Sequence, residues 1–356
     1  MLLDKKMFVV GLIFSVIFTY ILFFEFIDIK VLINVLKNIN LIYVFISLIF
    51  YFLSLYFRTK RWSYLLSENL PNPKRKILPV VIFGYMANNL IPVRIGEFLR
   101  SYYLSIRENI SSSFVFGTII IERLMDVIAL VFFFTIGSLL GSIFYSSDFN
   151  DFSNTVPGGK LIMALLSLLP FLFLIIILII SNKISDKKIS FVLNRLLFFT
   201  SYKIRYLIKN KIILLFNGVV TIRKKNIFFY TIIYSIIIWI CEAVMYYIIS
   251  LGFNLNIFFD STFELISVII VFTSIVNLAG IIPSSAGSWG PFDFFGSLTL
   301  ITLGVDNEMA VAYSLLVHFA LWLPPTIIGF VIIILDKKSI IQVFKNFKLK
   351  KISNVR

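Results

Sequence analysis

Six apolar runs, each long enough to cross a bilayer, constrain this chain more than any other feature. They cover 7–24, 41–57, 114–144, 161–180, 228–251 and 310–335. A hydrocarbon core about 30 Å thick takes roughly 20 residues of helix. Inside it, every backbone N–H and C=O must be bonded within the protein. The expectation is therefore an all-α polytopic membrane protein, a single transmembrane domain over 1–356. Composition agrees: 59% of the 356 residues are hydrophobic and 14% charged, more apolar surface than a soluble core of this size needs. The first run is long for a signal peptide and no small-x-small site follows it, so it reads as an uncleaved span.

The basic residues orient the spans. Of 33 Lys and Arg, 27 fall at Lys5 and Lys6, in 58–76, at Arg107, in 181–226 and in 336–356. The loops 25–40, 145–160 and 252–262 hold only Lys30, Lys37 and Lys160. Cytoplasmic loops collect positive charge, which places both termini, the basic segment 181–226 and the basic tail 336–356 on the cytoplasmic side of the cell membrane. The net charge of +15 is then topological, and no nucleic-acid partner is expected. Within 183–211, basic and apolar residues alternate at helical spacing, as in an amphipathic helix lying on an anionic leaflet. Cys241 is the sole cysteine, so intramolecular disulfides and CxxC metal sites are excluded, and no metal or cofactor is expected.

Two further apolar runs, 77–91 and 263–282, end in polar stretches rich in Pro and Gly. The first lies between two cytoplasmic loops and the second between two external ones, so neither can cross once. Each is predicted to enter and leave on the same side as a pair of half-helices. The breaks fall at "NNLIPVRIGE" and "GIIPSSAGSWGPFD". About six full transmembrane helices and two re-entrant hairpins then divide into halves, 1–150 and 161–335, that run in opposite directions. Such an inverted-topology repeat puts a transporter's site at its broken helices, near the midplane.

Irregular backbone at that depth must be buried in protein or line a wet cavity. Pro92 removes a donor and ends the first half-helix, and Gly96 is expected to permit the turn. Asn88 and Asn89 can bond freed backbone groups. Arg94 falls near the N-terminus of the second half-helix, where free N–H groups favour an anion. The next span carries Glu122, Arg123 and Asp126, and a later one Glu242, a candidate partner for one of these arginines. Intramembrane charge is costly and marks function unless it merely pins helices together. Arg94–Glu97, Arg123–Glu122 and Arg94–Asp126 are the pairs that would do only that. His318 is read as a packed residue without a role, and Pro324 with Pro325 as a kink.

The stretches "NNLIPVRIGEFLRSYYL", "IIIERLMDVIAL" and "IIPSSAGSWGPFDFF" resemble the three motif regions of the lysylphosphatidylglycerol synthase transmembrane-region family, and the resemblance covers essentially the whole chain. It marks Asn89, Pro92, Arg94, Gly96, Glu97, Arg100, Glu122, Arg123 and Asp126 in the first two motifs. In the third it marks Pro283, Gly287, Gly290 and Asp293, with Ala286 and Asp293 standing where proline and glutamate are frequent. The family includes the flippase part of bacterial lysyl-phosphatidylglycerol synthases and stand-alone proteins implicated in moving polyprenyl-phosphate-linked sugars. The aminoacyl-transferase domain of the full synthases is absent. The resemblance thus implies a non-enzymatic lipid flippase whose partner is an anionic membrane lipid. Arg94 and Arg123 would grip the phosphate, with Asn89, Glu97, Arg100, Glu122, Asp126 and Glu242 around it. A membrane-embedded enzyme acting on lipid phosphates is the alternative, weakened by a single histidine and no acidic metal motif. An accessory protein of such a pathway is a third.

Overall fold

The computed structural model describes residues 5–25, 27–67, 69–70, 77–92, 94–144, 172, 186–282, 285–343 and 345. Apart from residue 172, the expected span over 161–180 lies outside them, as do Pro283 and most of the basic tail. Twelve α-helices are described: α1 Lys5–Glu25, α2 Ile29–Lys37, α3 Leu41–Leu66, α4 Leu78–Leu90, α5 Gly96–Glu108, α6 Ser112–Phe144, α7 Asp186–Leu196, α8 Tyr202–Val219, α9 Lys225–Gly252, α10 Thr262–Ala279, α11 Pro291–Thr302 and α12 Asn307–Leu335. Five of them (α3, α6, α9, α10 and α12) are long and apolar enough to cross a membrane. The chain is an all-α polytopic membrane protein.

Local chemistry fixes the ends. Asp28 and Asn40 cap α2 and α3 by accepting from Lys30 N and Ile42 N at 2.8 and 3.2 Å. Ser261 and Glu264 form a capping box at α10, which satisfies amide donors that a helix start leaves free. The first hairpin has the expected form: α4 and α5 are 13 residues each, separated by a break at 91–95. The second is unequal. Its arms α10 and α11 have 18 and 12 residues, so by length α10 reaches about 27 Å, nearly the full core.

Three expectations change. Helix α3 continues to Leu66, so Arg58 and Arg61 are buried helical residues and not part of a cytoplasmic loop. Taking these two from the 27 leaves 25 basic residues on the expected cytoplasmic side. Gly96 is not the strained turn residue, because the left-handed conformation at this break belongs to Arg94, φ +49°. Gly96 serves close packing instead, since a Cβ there would fall on the Gly84 carbonyl oxygen of the other arm. The single amphipathic helix expected over 183–211 is two helices, α7 and α8. Ser201 restarts the helix and the Arg205 guanidinium binds the carbonyls of Leu197, Phe198 and Thr200 at 2.7–3.1 Å. Phe191, Phe198, Phe199 and Tyr202 stand exposed along this arm.

Packing between the two expected halves is reciprocal. Helix α3 pairs with its counterpart α9, the most extensive contact among the described helices. The first hairpin arm α4 packs on α12, and its counterpart α10 packs on α6. Helices α2 and α8 repeat the exchange, on α12 and α6 respectively. At the α6–α8 crossing the backbones touch: a Cβ on Gly117 would strike the Leu215 carbonyl, and one on Gly218 the Phe114 carbonyl. Small residues permit such approach in membranes.

At one end of the bundle, Asp336 ties α12 to α5. Its carboxylate accepts from the Tyr103 hydroxyl and from Ser339, both at 2.7 Å, and lies 3.9 Å from the Arg107 guanidinium. Burial opposes the charge, but the bonds from Ser339 and Tyr103 and the nearby Arg107 outweigh it and hold the carboxyl below its ordinary range. A depressed carboxyl pKa stabilises the fold above the unfolded value of about 3.9 and loses that contribution as pH falls through the folded value. Asp336→Asn is therefore expected to lower the melting temperature slightly at neutral pH, by the roughly 0.2–1 kcal/mol of a half-exposed pair. The gap should narrow as pH falls below the ordinary carboxylate range in the same unfolding scans. A gap that persists in acid would mean the carboxylate charge is irrelevant to the tie.

Candidate functional site

On α3, Ser54, Arg58 and Arg61 follow helical spacing and share the face turned to α6 and α9. Arg58 ion-pairs with Glu242 of α9, and Ser54 Oγ donates to the same carboxylate oxygen at 3.0 Å. A second Arg58 nitrogen lies 3.7 Å from Asp126, and its guanidinium stacks 4.9 Å over Trp239. Arg61 donates to Asp126 at 2.6 Å and to Ser235 at 2.7 Å, with Glu122 at 3.3 Å. Arg100 of α5 donates to Glu122 at 2.8 Å and lies over the Trp62 ring. Arg123 meets Glu122 at 2.9 Å, Asp126 at 3.1 Å and Glu97 at 3.7 Å. These contacts weld α3, α5, α6 and α9 into one ion-pair layer. Along α3 it separates the core around Tyr51 and Leu55 from the core around Trp62 and Leu66.

Counting formal charges, the layer and its surroundings hold five arginines (58, 61, 94, 100 and 123) against Glu97, Glu122, Asp126 and Glu242. One positive charge is left over. Arg94 makes no ion pair among the described residues, and its guanidinium extends to the second hairpin, where a Cβ on Gly280 would sit 2.8 Å from it. A cavity of about 490 Å³ opens here between the two hairpin breaks and the ion-pair layer. Two further donors on its wall, the Tyr85 hydroxyl and the Trp239 indole N–H, are buried without a hydrogen-bond partner among the described residues. Buried donors left empty cost about 1–3 kcal/mol each, so these two beside an uncompensated positive charge suit an anion.

Two ties hold the hairpin breaks to α12. The Asn89 side chain donates to the Trp322 carbonyl at 2.9 Å and to Thr326 at 3.0 Å, while the Trp322 indole donates back to the Asn89 carbonyl at 3.2 Å. At the second break Gly287 and Gly290 adopt φ +74° and +98°, conformations that favour glycine. His318 of α12 bridges this break, 2.9 Å from Asp293 and 2.8 Å from the Gly287 carbonyl.

Of the eight residues expected around substrate, Asn89, Arg94, Glu97, Arg123, Asp126 and Glu242 line the cavity. Glu122 and Arg100 stand behind it and brace the layer. Glu242 pairs with Arg58, not with Arg94 or Arg123, and of the three pinning pairs only Arg123–Glu122 forms among the described residues. Arg58, Arg61 and His318 were missed as site residues. The spacing of Ser54, Arg58, Arg61 and Trp62 on one helical face, with apolar Leu65 and Leu66 beyond, is the signal that identifies α3 as longer than its uncharged run.

The two kinds of arginine should separate in unfolding measurements in lipid–detergent micelles. Arg61→Met takes the central arginine from two buried carboxylates and is expected to cost up to about 3–5 kcal/mol. Arg94→Met removes a charge that has no ion-pair partner among the described residues and should leave stability within about 0.5 kcal/mol. Equal losses for both would contradict the surplus at Arg94.

The profile of the family described as "Lysylphosphatidylglycerol synthase TM region" matches residues 8–329. A UPF0104 membrane protein of Methanocaldococcus jannaschii is 27% identical over 325 residues, covering 87% of this chain and 89% of its own. Those of Methanothermobacter thermautotrophicus and Pyrococcus horikoshii are 24% and 22% identical, covering 78% and 87% of this chain and 81% and 92% of their own. No solved structure matches. With the match running through both hairpins and every helix of the ion-pair layer, the chain belongs to the lysylphosphatidylglycerol synthase transmembrane-region family.

Proposed function

We propose that this protein is a flippase of the cytoplasmic membrane that binds the phosphodiester head group of an anionic lipid, either a phospholipid or a polyprenyl-phosphate-linked sugar. The observation that carries this reading is the surplus Arg94 guanidinium, without an ion-pair partner among the described residues, beside a cavity at two broken helices. A singly charged phosphodiester balances that surplus, and a guanidinium suits it because its planar fork can grip two phosphate oxygens. A volume of about 490 Å³ fits a head group and leaves acyl or prenyl chains in the bilayer. Arg123 borders the same cavity but is already shared among three carboxylates, so it acts as the wall against which the phosphate rests. The inverted repeat, with both termini cytoplasmic, supplies alternating access in this reading. Cysteine labelling at Ser111 in a Cys241→Ala background tests that topology: reactivity from the cytoplasmic side alone is expected, and from the external side alone would reverse it.

The function is tested by reconstitution into liposomes with head-group-labelled phosphatidylglycerol, and by native mass spectrometry of co-purified lipid. Arg94→Lys keeps the charge but loses the fork, and should cut flipping and lipid retention at least tenfold while the protein still inserts. Wild-type lipid retention in Arg94→Lys and Arg94→Met alike would place any phosphate elsewhere.

A further inference from the structure

His318 is the chain's only histidine, and its ring lies where the second hairpin break meets α12. Nε2 is 2.8 Å from the Gly287 carbonyl oxygen, which can only accept, so Nε2 carries a proton. Nδ1 is 2.9 Å from Asp293 Oδ1. In a neutral imidazole Nδ1 would turn a lone pair toward that carboxylate, and two acceptors would face each other. The arrangement needs one more proton between them. Two features put it on the ring. Asp293 accepts the Gly290 amide at 3.1 Å and lies in the first turn of α11, where the helix dipole favours a carboxylate. The ring stacks against Trp289 and Phe292, with centroids 4.2 and 4.4 Å away, faces that attract a cation.

The surroundings leave this pair to itself. Arg58, Arg94 and Arg123 share its cavity with Glu97, Asp126 and Glu242. Those three carboxylates are each paired with arginine, and none of the six pairs with Asp293 or His318 among the described residues. Tyr51 and Tyr85 are the other titratable groups on the wall. From α1, among the described residues, the break meets the uncharged Ser15, which bonds Ser285 N and the Trp289 carbonyl.

We propose that Asp293 and His318 form a proton-binding site, and that the bound proton clamps the second hairpin break to α12. With the proton in place, the imidazolium donates to both Asp293 and Gly287. When it leaves, one of those two acceptors loses its donor and the ring must release it. Gly287 and Ser288 form part of the cavity wall, so release changes the cavity's shape. The proton site stands whatever the cavity carries; its use as the coupling ion of transport rests on the flippase reading above.

A single histidine makes the test direct. Tag-free protein labelled with ¹⁵N-histidine, in lipid nanodiscs, gives one imidazole by NMR. Both ring nitrogens should be protonated in the native protein under conditions where the Asp293→Asn ring carries one proton. The asparagine carboxamide can donate to Nδ1 without an added proton. Amide exchange over 285–290, corrected for its intrinsic pH dependence, should therefore rise with pH in the native protein and stay low in Asp293→Asn. A native ring that carries one proton wherever the Asp293→Asn ring does overturns the site, and exchange that responds alike in both proteins overturns the clamp. Arg94→Met should leave the imidazole signal unchanged while bound phosphatidylglycerol is lost in native mass spectrometry, so the proton site and the lipid reading fail independently.

Discussion

The ion-pair layer formed by Arg58, Arg61, Glu122, Asp126 and Glu242 sets the terms for the rest of the molecule. Charge at membrane depth is tolerated only when matched and hydrogen-bonded, and here the matching residues come from different helices. Helix α3 supplies the arginines, α6 and α9 the carboxylates, and α5 adds Arg100 from the first hairpin. No helix could be withdrawn without stranding a charge. The layer does not make the protein more stable than an apolar core of the same shape would. It fixes which helices sit together and at what height.

Once the layer is fixed, the cavity follows. The hairpin breaks cannot satisfy their backbone through regular helix, so they are held by side chains of α12: Asn89 against Trp322 and Thr326, Gly287 against His318. Between those ties and the layer no helix among the described residues fills the space. Arg94 enters it from a left-handed backbone conformation, which costs an ordinary residue about 1–3 kcal/mol. Its guanidinium is therefore delivered by the bend of the chain, and no carboxylate among the described residues forms an ion pair with it.

The sequence is legible where membrane physics is strict. Hairpin α4–α5 is expected from the two basic stretches that flank an apolar run, and the break lies at the residues that Pro92 and the two asparagines mark. The acids and arginine of α6 are visible because they interrupt an apolar helix. Arg58 and Arg61 are hidden by the same rule: hydropathy ends a span at its first charges, whereas a matched arginine can sit a full turn or more inside a helix. His318 is hidden for another reason. Nothing in its own helix shows that Asp293 and a glycine carbonyl from a distant turn will bracket its ring, since that meeting is made by tertiary packing alone.

The glycine contact between α6 and α8 carries a consequence for how the molecule divides. Backbone lies on backbone at Gly117 and Gly218, with no side chain between them to take up displacement, and Glu122 lies little more than one turn further along α6. The arm that displays Phe198, Phe199 and Tyr202 is joined in sequence to the second half but keyed to the last long helix of the first. Helix α2 is placed against α12 in the opposite sense. Each expected half thus holds the other by an outrigger, and the unit that is packed as one piece is not the unit that is contiguous in the chain.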